Sequence, residues 1–344
     1  MQKVKRQHII SALLGIGLAA LLIWGIQDEE QPKKQYWHNE GKVFGTYYNI
    51  RYEAESDLHD SIRAVLQAFD GSLSMFNPHS LLRAVNENRD TATDAFFEAM
   101  WQTAEEVYTL SGGAFDITVA PLVNYWGFGF QKPNPDPALR EREIDSLRQF
   151  VGFDKVELID HHVYKSNPRV QIDGGAVAKG QACDMIAAVL RTQDVENWLV
   201  DIGGEVVAHG VNAKGEAWRI GITKPNLNNE GAQDELQEIL PVHDICMATS
   251  GNYRNYYYAD GERRSHTIDP RTGYPVQHSL LSATVVSSTC MRADALATAC
   301  MVLGAEEAMQ MIERAGDAAC YFIVAQNDSL ATLTSPNWAK SLQK

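Results

Sequence analysis

An uncharged apolar run from Ile9 to Ile26 sits between Lys3, Lys5 and Arg6 on one side and Asp28, Glu29 and Glu30 on the other. A run of about 18 residues is just long enough to cross a hydrocarbon core as a helix. Its basic flank predicts residues 1–8 in the cytoplasm and everything from about Asp28 onward outside. No small-x-small cleavage site precedes the acidic cluster, and Trp24 stands where an interfacial anchor belongs. The segment therefore reads as an uncleaved single-pass anchor in the inner, cytoplasmic membrane rather than a removed signal. No cysteine lies near its end, so lipoprotein processing has no acceptor. The expected layout is a cytoplasmic start at 1–8, a transmembrane segment at 9–26, a spacer at 27–38 and a folded periplasmic domain at 39–340.

The composition, 45% hydrophobic and 22% charged over 344 residues, is that of a globular chain and excludes disorder on a large scale. A net charge of -14 leaves no basic stripe to neutralise phosphates, which argues against a nucleic-acid partner. An anionic ligand would need local help from a cation, a helix N-terminus or a few placed basic groups. The five cysteines, Cys183, Cys246, Cys290, Cys300 and Cys320, show no metal-ligand spacing, and their odd number favours buried small hydrophobes over a disulfide framework.

After the spacer the pattern predicts a strand over Val43 to Tyr52, then helices over Asp57 to Phe69 and Asp94 to Leu110, each opened by an aspartate able to cap exposed N–H groups. Ser72 to Ser80 and Tyr125 to Pro137 read as loops. Further strands are expected at Lys155 to Ile159, Arg169 to Ile172, Trp198 to Asp201, Val206 to His209, Trp218 to Ile222 and Ser282 to Ser287. Helices are expected at Val177 to Arg191, Arg292 to Leu303 and Ala305 to Ala315. Strands and helices do not alternate regularly, so the fold class is α+β, one domain with a division into two lobes left open.

Four segments carry chemistry. Val170 to Gly180 runs from a strand through a glycine-rich loop into a helix, so backbone N–H groups and Lys179 can meet a phosphate; a tight structural turn is equally consistent. Asp294 and Thr298 are one helical turn apart, so both oxygens can grip a hard cation such as Mg2+; the plainer use is a cap and a packed threonine. His266, beside Asp269, can accept a proton from an attacking hydroxyl with the carboxylate fixing its tautomer, although a lone histidine is more often structural. Asp116, among apolar and aromatic groups, can hydrogen-bond a heterocycle or simply cap a turn. Asp201 to Glu205 reads as a glycine bend between strands.

Taken together, these blocks resemble the ApbE family of FAD:protein FMN transferases. The resemblance covers nearly all of the chain after the anchor. Its motifs are Phe44-Gly-Thr46, Gly113 to Thr118, Pro121 to Gly129, Asp173 to Gly180, Asp201 to Gly204, Ser250 to Tyr256, His266 to Pro270 and Ala293 to Thr298. It implies the family's own α+β fold, FAD as donor, Mg2+ as cofactor, AMP as leaving group, and an FMN phosphoester on a Thr or Ser hydroxyl of a target protein. Carried over residue by residue, it implies Mg2+ ligation by the Ala176 carbonyl, Asp294 and Thr298, and His266 as catalytic base. The implied flavin and adenine contacts are Phe44, Ser74, Met75, Phe76, Asp116, Lys179 and the stretch from His266 to Ile268. Implied acceptors are flavoprotein subunits of membrane redox pumps, of the sodium-pumping quinone reductase or Rnf type, which the anchor would keep on the same membrane. Phe44 stands where relatives often carry Met, and the anchor is a helix where many relatives are lipoproteins. Two alternatives use the same residues: a hydrolase that converts FAD to FMN and AMP, and a non-enzymatic FAD carrier.

Overall fold

The computed structural model describes residues 33–129, 140–225, 235–253, 255–259, 261–327 and 329–343. The expected membrane anchor at 9–26 and most of the expected 125–137 loop lie outside the described residues, among which no helix is long and apolar enough to cross a membrane. The chain divides into one unit of Met1–Gln35 with Ala54–Ser56 and another of Tyr36–Glu53 with Asp57–Lys344, and the second holds the core.

Strands β1 (Gln35–Val43) and β2 (Thr46–Ala54) open the described chain, followed by α1 (His59–Leu73), α2 (Leu81–Asn86) and α3 (Ala95–Leu110). Helices α4 (Ala120–Tyr125) and α5 (Arg140–Arg148) lead to the pair β3 (Val156–Ile159) and β4 (His162–Lys165). Next come α6 (Ala178–Thr192), β5 (Trp198–Ile202), β6 (Glu205–His209), β7 (Trp218–Thr223), β8 (Leu236–Val242) and β9 (Ile245–Gly251). The hairpin β10 (Tyr256–Ala259) and β11 (Glu262–Ser265) precedes β12 (Leu280–Val286), α7 (Cys290–Leu303), α8 (Ala305–Ala315), β13 (Ala319–Gln326), β14 (Ser329–Thr334) and α9 (Trp338–Ser341).

Eight strands form one sheet in the order β1-β2-β5-β6-β9-β12-β13-β14, with antiparallel pairing from β2 to β14. Strand alternation sends Val206, Ala208, Met247, Tyr321 and Ile323 to one face, where they pack with Trp218, Ile220, Leu240 and Val242 of the β7–β8 ribbon and with Trp338. Helices α6 and α7 cover the other face, α6 against β5 and β6, α7 against β9 and β12. The interior strand β12 is buried along its whole length, as a strand covered on both faces should be. This is the α+β architecture the sequence predicts.

Helix α7 is apolar nearly all round, with Ala293, Ala295, Leu296, Ala297, Ala299, Cys300 and Met301 all buried, which suits a helix enclosed by protein. Asp294 is the buried carboxylate in that run, at 1% exposure. It serves the neighbouring helix, because its Oδ2 accepts the Gly180 N–H of α6 at 3.1 Å. The favour is returned by Asp184 of α6, which accepts the Cys290 and Met291 N–H groups at 3.0 and 2.8 Å and so caps α7. Gly180 permits the contact, since a Cβ there would fall on the Cys290 carbonyl and within 2.8 Å of the Met291 Cα.

Two expectations need correction. The expected strand at 43–52 is broken at Phe44 and Gly45, whose φ values of 50° and 75° turn the chain, and β1 reaches back into the expected spacer. Arg169 to Ile172 is not a strand, because a side chain supplies its partner: Asn86 Nδ2 donates to the Ile172 carbonyl at 2.8 Å, and Asn86 Oδ1 accepts the Ile172 N–H at 2.7 Å.

The helix contact sets a stability prediction. Gly180→Ala must push α6 from α7 and should cost about 1–3 kcal/mol, seen as a lower urea midpoint at unchanged m value. An unchanged midpoint would contradict the packing described.

Candidate active site

A cavity of about 380 Å³ opens where the N-terminus of α6, the β5–β6 turn, the end of β9, helix α7 and the segment after β11 converge. Ala176, Lys179, Asp294, Thr298, Asp116, His266 and Ile268 all line it, so seven positions singled out in the sequence meet around one space. Alternation along β6 explains one further member. Val206 and Ala208 face the ribbon, so Glu205 faces the helices and the cavity.

Lys179 Nζ lies 2.7 Å from Glu205 Oε1 and 3.7 Å from Asp294 Oδ1. Burial opposes the lysine's charge, but the two carboxylates outweigh it and hold its pKa above the ordinary value. Burial likewise raises Glu205, against the pull of the Lys179 ammonium. Glu205 is 1% exposed, and its Oε2 has no hydrogen-bond partner among the described residues. With both carboxylates ionised, one ammonium would face two negative charges, a set that would accept a further cation. One turn along α7, Thr298 Oγ1 lies 3.2 Å from Ser250 Oγ of β9, which adds two hydroxyls to the oxygen-rich wall.

His266 follows β11 directly, and its backbone N–H and ring Nδ1 both reach the Asn255 carbonyl, at 3.1 and 3.2 Å. A carbonyl can only accept, so Nδ1 carries the proton and a neutral ring keeps its lone pair on Nε2. Burial depresses the imidazole pKa, and the charges of Lys179 and Arg263 depress it further. The neutral base is therefore the form present at pH 7. The sequence assigned the tautomer to Asp269, and this is corrected here: the Asp269 carboxylate is occupied by Arg271, at 3.0 Å from both Nε and Nη2. The segment is braced from below by Ile268, which packs with Leu122, Trp126, Ile144 and Val151, while Trp126 Nε1 donates to the Gly273 carbonyl at 2.8 Å.

Asp116 is 8% exposed and accepts three hydrogen bonds, from Thr118 N, Thr118 Oγ1 and Phe153 N at 2.7, 2.6 and 3.0 Å. It is both a turn organiser and a cavity wall, with burial raising its pKa. Asp173, also raised by burial, lines the same space and accepts the Gly175 N–H at 2.8 Å.

Phe44, Ser74, Met75 and Phe76 do not line the cavity. Phe44 packs against Phe69 at 5.3 Å between centroids, and the turn it opens abuts the cavity wall, because a Cβ on Gly203 would meet Thr46 Oγ1 at 2.8 Å. Ser74 Oγ accepts the Phe76 and Asn77 N–H groups, Met75 Sδ accepts from Asn86 Nδ2 at 3.6 Å, and Phe76 is 75% exposed. Sequence reasoning passed over Glu205, Ser250 and Asp173 as individual groups. The phase of β6 was a usable signal for Glu205, because an acidic side chain there shares the helix face with Val207.

The ApbE family model matches residues 44–322. An FAD:protein FMN transferase of Vibrio cholerae is 35% identical over 338 residues, covering 96% of this chain and 98% of the relative. One from Escherichia coli K12 is 34% identical over 341 residues, covering 94% and 95%. Among solved structures, the flavin transferase ApbE of Vibrio cholerae superposes with a TM-score of 0.79 at 33% identity, covering 89% of this chain and 99% of that one. The apo flavinyl transferase ApbE of Pseudomonas stutzeri gives 0.78 at 29% identity, covering 91% and 98%. With the family model matched over residues 44–322 and relatives above 30% identity matched over more than nine tenths of its length, the chain belongs to the ApbE family.

Proposed function

We propose that this chain is a Mg2+-dependent FAD:protein FMN transferase that moves FMN from FAD to a Thr or Ser hydroxyl of a flavoprotein acceptor and releases AMP. The observation that carries the reading is the meeting of a neutral His266 with the Lys179–Glu205–Asp294 cluster in one cavity of a chain of this family.

The acceptor hydroxyl attacks the phosphorus on the FMN side of the FAD diphosphate. His266 Nε2 takes the hydroxyl proton, a new O–P bond forms, and the bond to the AMP oxygen breaks with its electron pair leaving on AMP. Lys179 would offset part of the charge of the diphosphate, so catalysis is chiefly positioning and electrostatics. Asp116 and Ile268 border the space a flavin or adenine ring would enter.

The residues fit Mg2+. Asp294, Thr298 and Ala176 would hold it, presenting a carboxylate, a hydroxyl and a carbonyl, all hard oxygen donors. Among the described residues no group of three or more His, Cys, Asp or Glu forms a cage, and Mg2+ is ordinarily held by one or two carboxylates with substrate phosphates. When bound, the ion neutralises diphosphate charge. The run at 9–26, read as an anchor, would hold the domain on the periplasmic face beside membrane redox subunits of the sodium-pumping quinone reductase or Rnf type.

The direct test incubates the chain with FAD, Mg2+ and such a subunit and weighs the acceptor. The expected result is an FMN mass increment that EDTA abolishes; FMN and AMP released with unlabelled acceptor would favour the hydrolase. Asp294→Ala should lower transfer at fixed Mg2+ by about 100-fold or more and raise the Mg2+ concentration for half-maximal rate. An unaltered Mg2+ dependence would remove Asp294 from the metal site.

A pH prediction follows from His266. A base whose folded pKa lies below the ordinary histidine value stays deprotonated until the pH falls below that value. The kcat/KM profile should therefore be level through pH 7 and fall only on its acid side. His266→Ala should cost about 10²–10⁴-fold and erase that acid limb; a limb that survives would assign it elsewhere.

A further inference from the structure

Glu205 is the member of the charged cluster that the proposed reaction does not use. It is the first residue of β6, placed by a tight turn in which Gly203 and Gly204 take φ values of 65° and 103°, and it pairs with Ile202 of β5. Helix α6 attaches to this one residue twice. Lys179 and Cys183 lie one turn apart on that helix, so both face the sheet. Lys179 Nζ reaches Glu205 Oε1 at 2.7 Å, and Cys183 Sγ donates to the Glu205 carbonyl at 3.2 Å.

Asp294 divides its oxygens between two duties. Its Oδ2 accepts the Gly180 N–H at 3.1 Å, so Oδ1 is the oxygen left to meet a cation. Oδ1 is also the oxygen that Lys179 Nζ approaches, at 3.7 Å. An ammonium and a divalent ion would therefore compete for one atom. Exposure decides which of the three groups can move: the Lys179 side chain is 30% exposed on a flexible four-carbon stem, whereas those of Glu205 and Asp294 are each 2% exposed. The shorter of the two lysine contacts is the one to Glu205. Glu205 Oε2 has no hydrogen-bond partner among the described residues, so a Glu205 that released Lys179 would be a buried carboxylate without its counter-charge.

We propose that Glu205 is a positioning residue that holds the Lys179 ammonium off Asp294 Oδ1 and so reserves that oxygen for the divalent cation. It acts through Lys179 and touches neither the ion nor the reacting atoms. Both residues line the cavity, so the same contact fixes where the ammonium stands in its wall. This rests on the Mg2+ site of the transferase reading above. A merely structural role, an ion pair tying β6 to α6, would be indifferent to the metal.

The test titrates the chain with Mn2+ in the absence of FAD and follows the free ion by electron paramagnetic resonance. Glu205→Gln keeps the size of the side chain and an acceptor oxygen but not its charge, so Lys179 should turn to Asp294. The Mn2+ Kd should rise about tenfold, with the far-UV circular dichroism unchanged. Lys179→Met removes the competitor and should lower the Kd; in that background Glu205→Gln should change it by about twofold or less. Equal losses in both backgrounds would mean that Glu205 acts on the ion itself, and no loss in the native background would mean that it holds nothing back; either result overturns the proposal. Should Glu205→Gln fail to fold, the Lys179→Met titration decides alone, because a Kd that does not fall contradicts the competition. Asp294→Ala separates this inference from the reading beneath it. Weakened Mn2+ binding in Asp294→Ala but not in Glu205→Gln would sink the positioning role only, whereas binding indifferent to Asp294→Ala would sink the metal site and this role with it.

Discussion

The reciprocal capping of α6 and α7 is the constraint on which the site depends. Each helix begins with N–H groups that need an acceptor, and each finds one in an aspartate of the other, Asp184 in one direction and Asp294 in the other. Gly180 lets the helices approach closely enough for both bonds. The arrangement also brings the Asp294 carboxylate to Lys179 and, through it, to Glu205 on the sheet. A burial that would be unfavourable for an isolated carboxylate thus becomes part of the scaffold.

Charge follows from the same arrangement. A chain with a net charge of -14 meets a doubly charged diphosphate at a disadvantage unless positive potential is concentrated locally. Lys179 already faces Glu205 and Asp294, so the proposed divalent ion would have to supply that concentration, and His266 lines the same cavity with a free Nε2. His266 directly follows strand β11, and the Asn255 carbonyl just before β10 holds its ring, so the hairpin positions the base.

Much of this was legible in the sequence. Helix α7 declared itself through its many small apolar residues, and Asp294 with Thr298 could be placed on one face from spacing alone. The glycine loop before α6 and His266 as a candidate base were equally visible. What escaped notice depends on contacts between distant segments. Arg169 to Ile172 has the composition of a strand, but Asn86, some eighty residues earlier, takes its hydrogen bonds. Asp269 looked like the partner of His266 because it is three residues away, whereas Arg271 claims it and Asn255 holds the imidazole. Glu205 looked like part of a bend until the pairing of β5 with β6 fixed which way it faces.

The most direct test of the central claim is the anomalous diffraction of crystals of this chain grown with FAD and Mn2+ in place of Mg2+. A single manganese peak bounded by Asp294, Thr298 and Ala176, with the FAD diphosphate between it and Lys179, is the expected result. Diphosphate density outside the cavity, or manganese bound away from Asp294, would contradict the account.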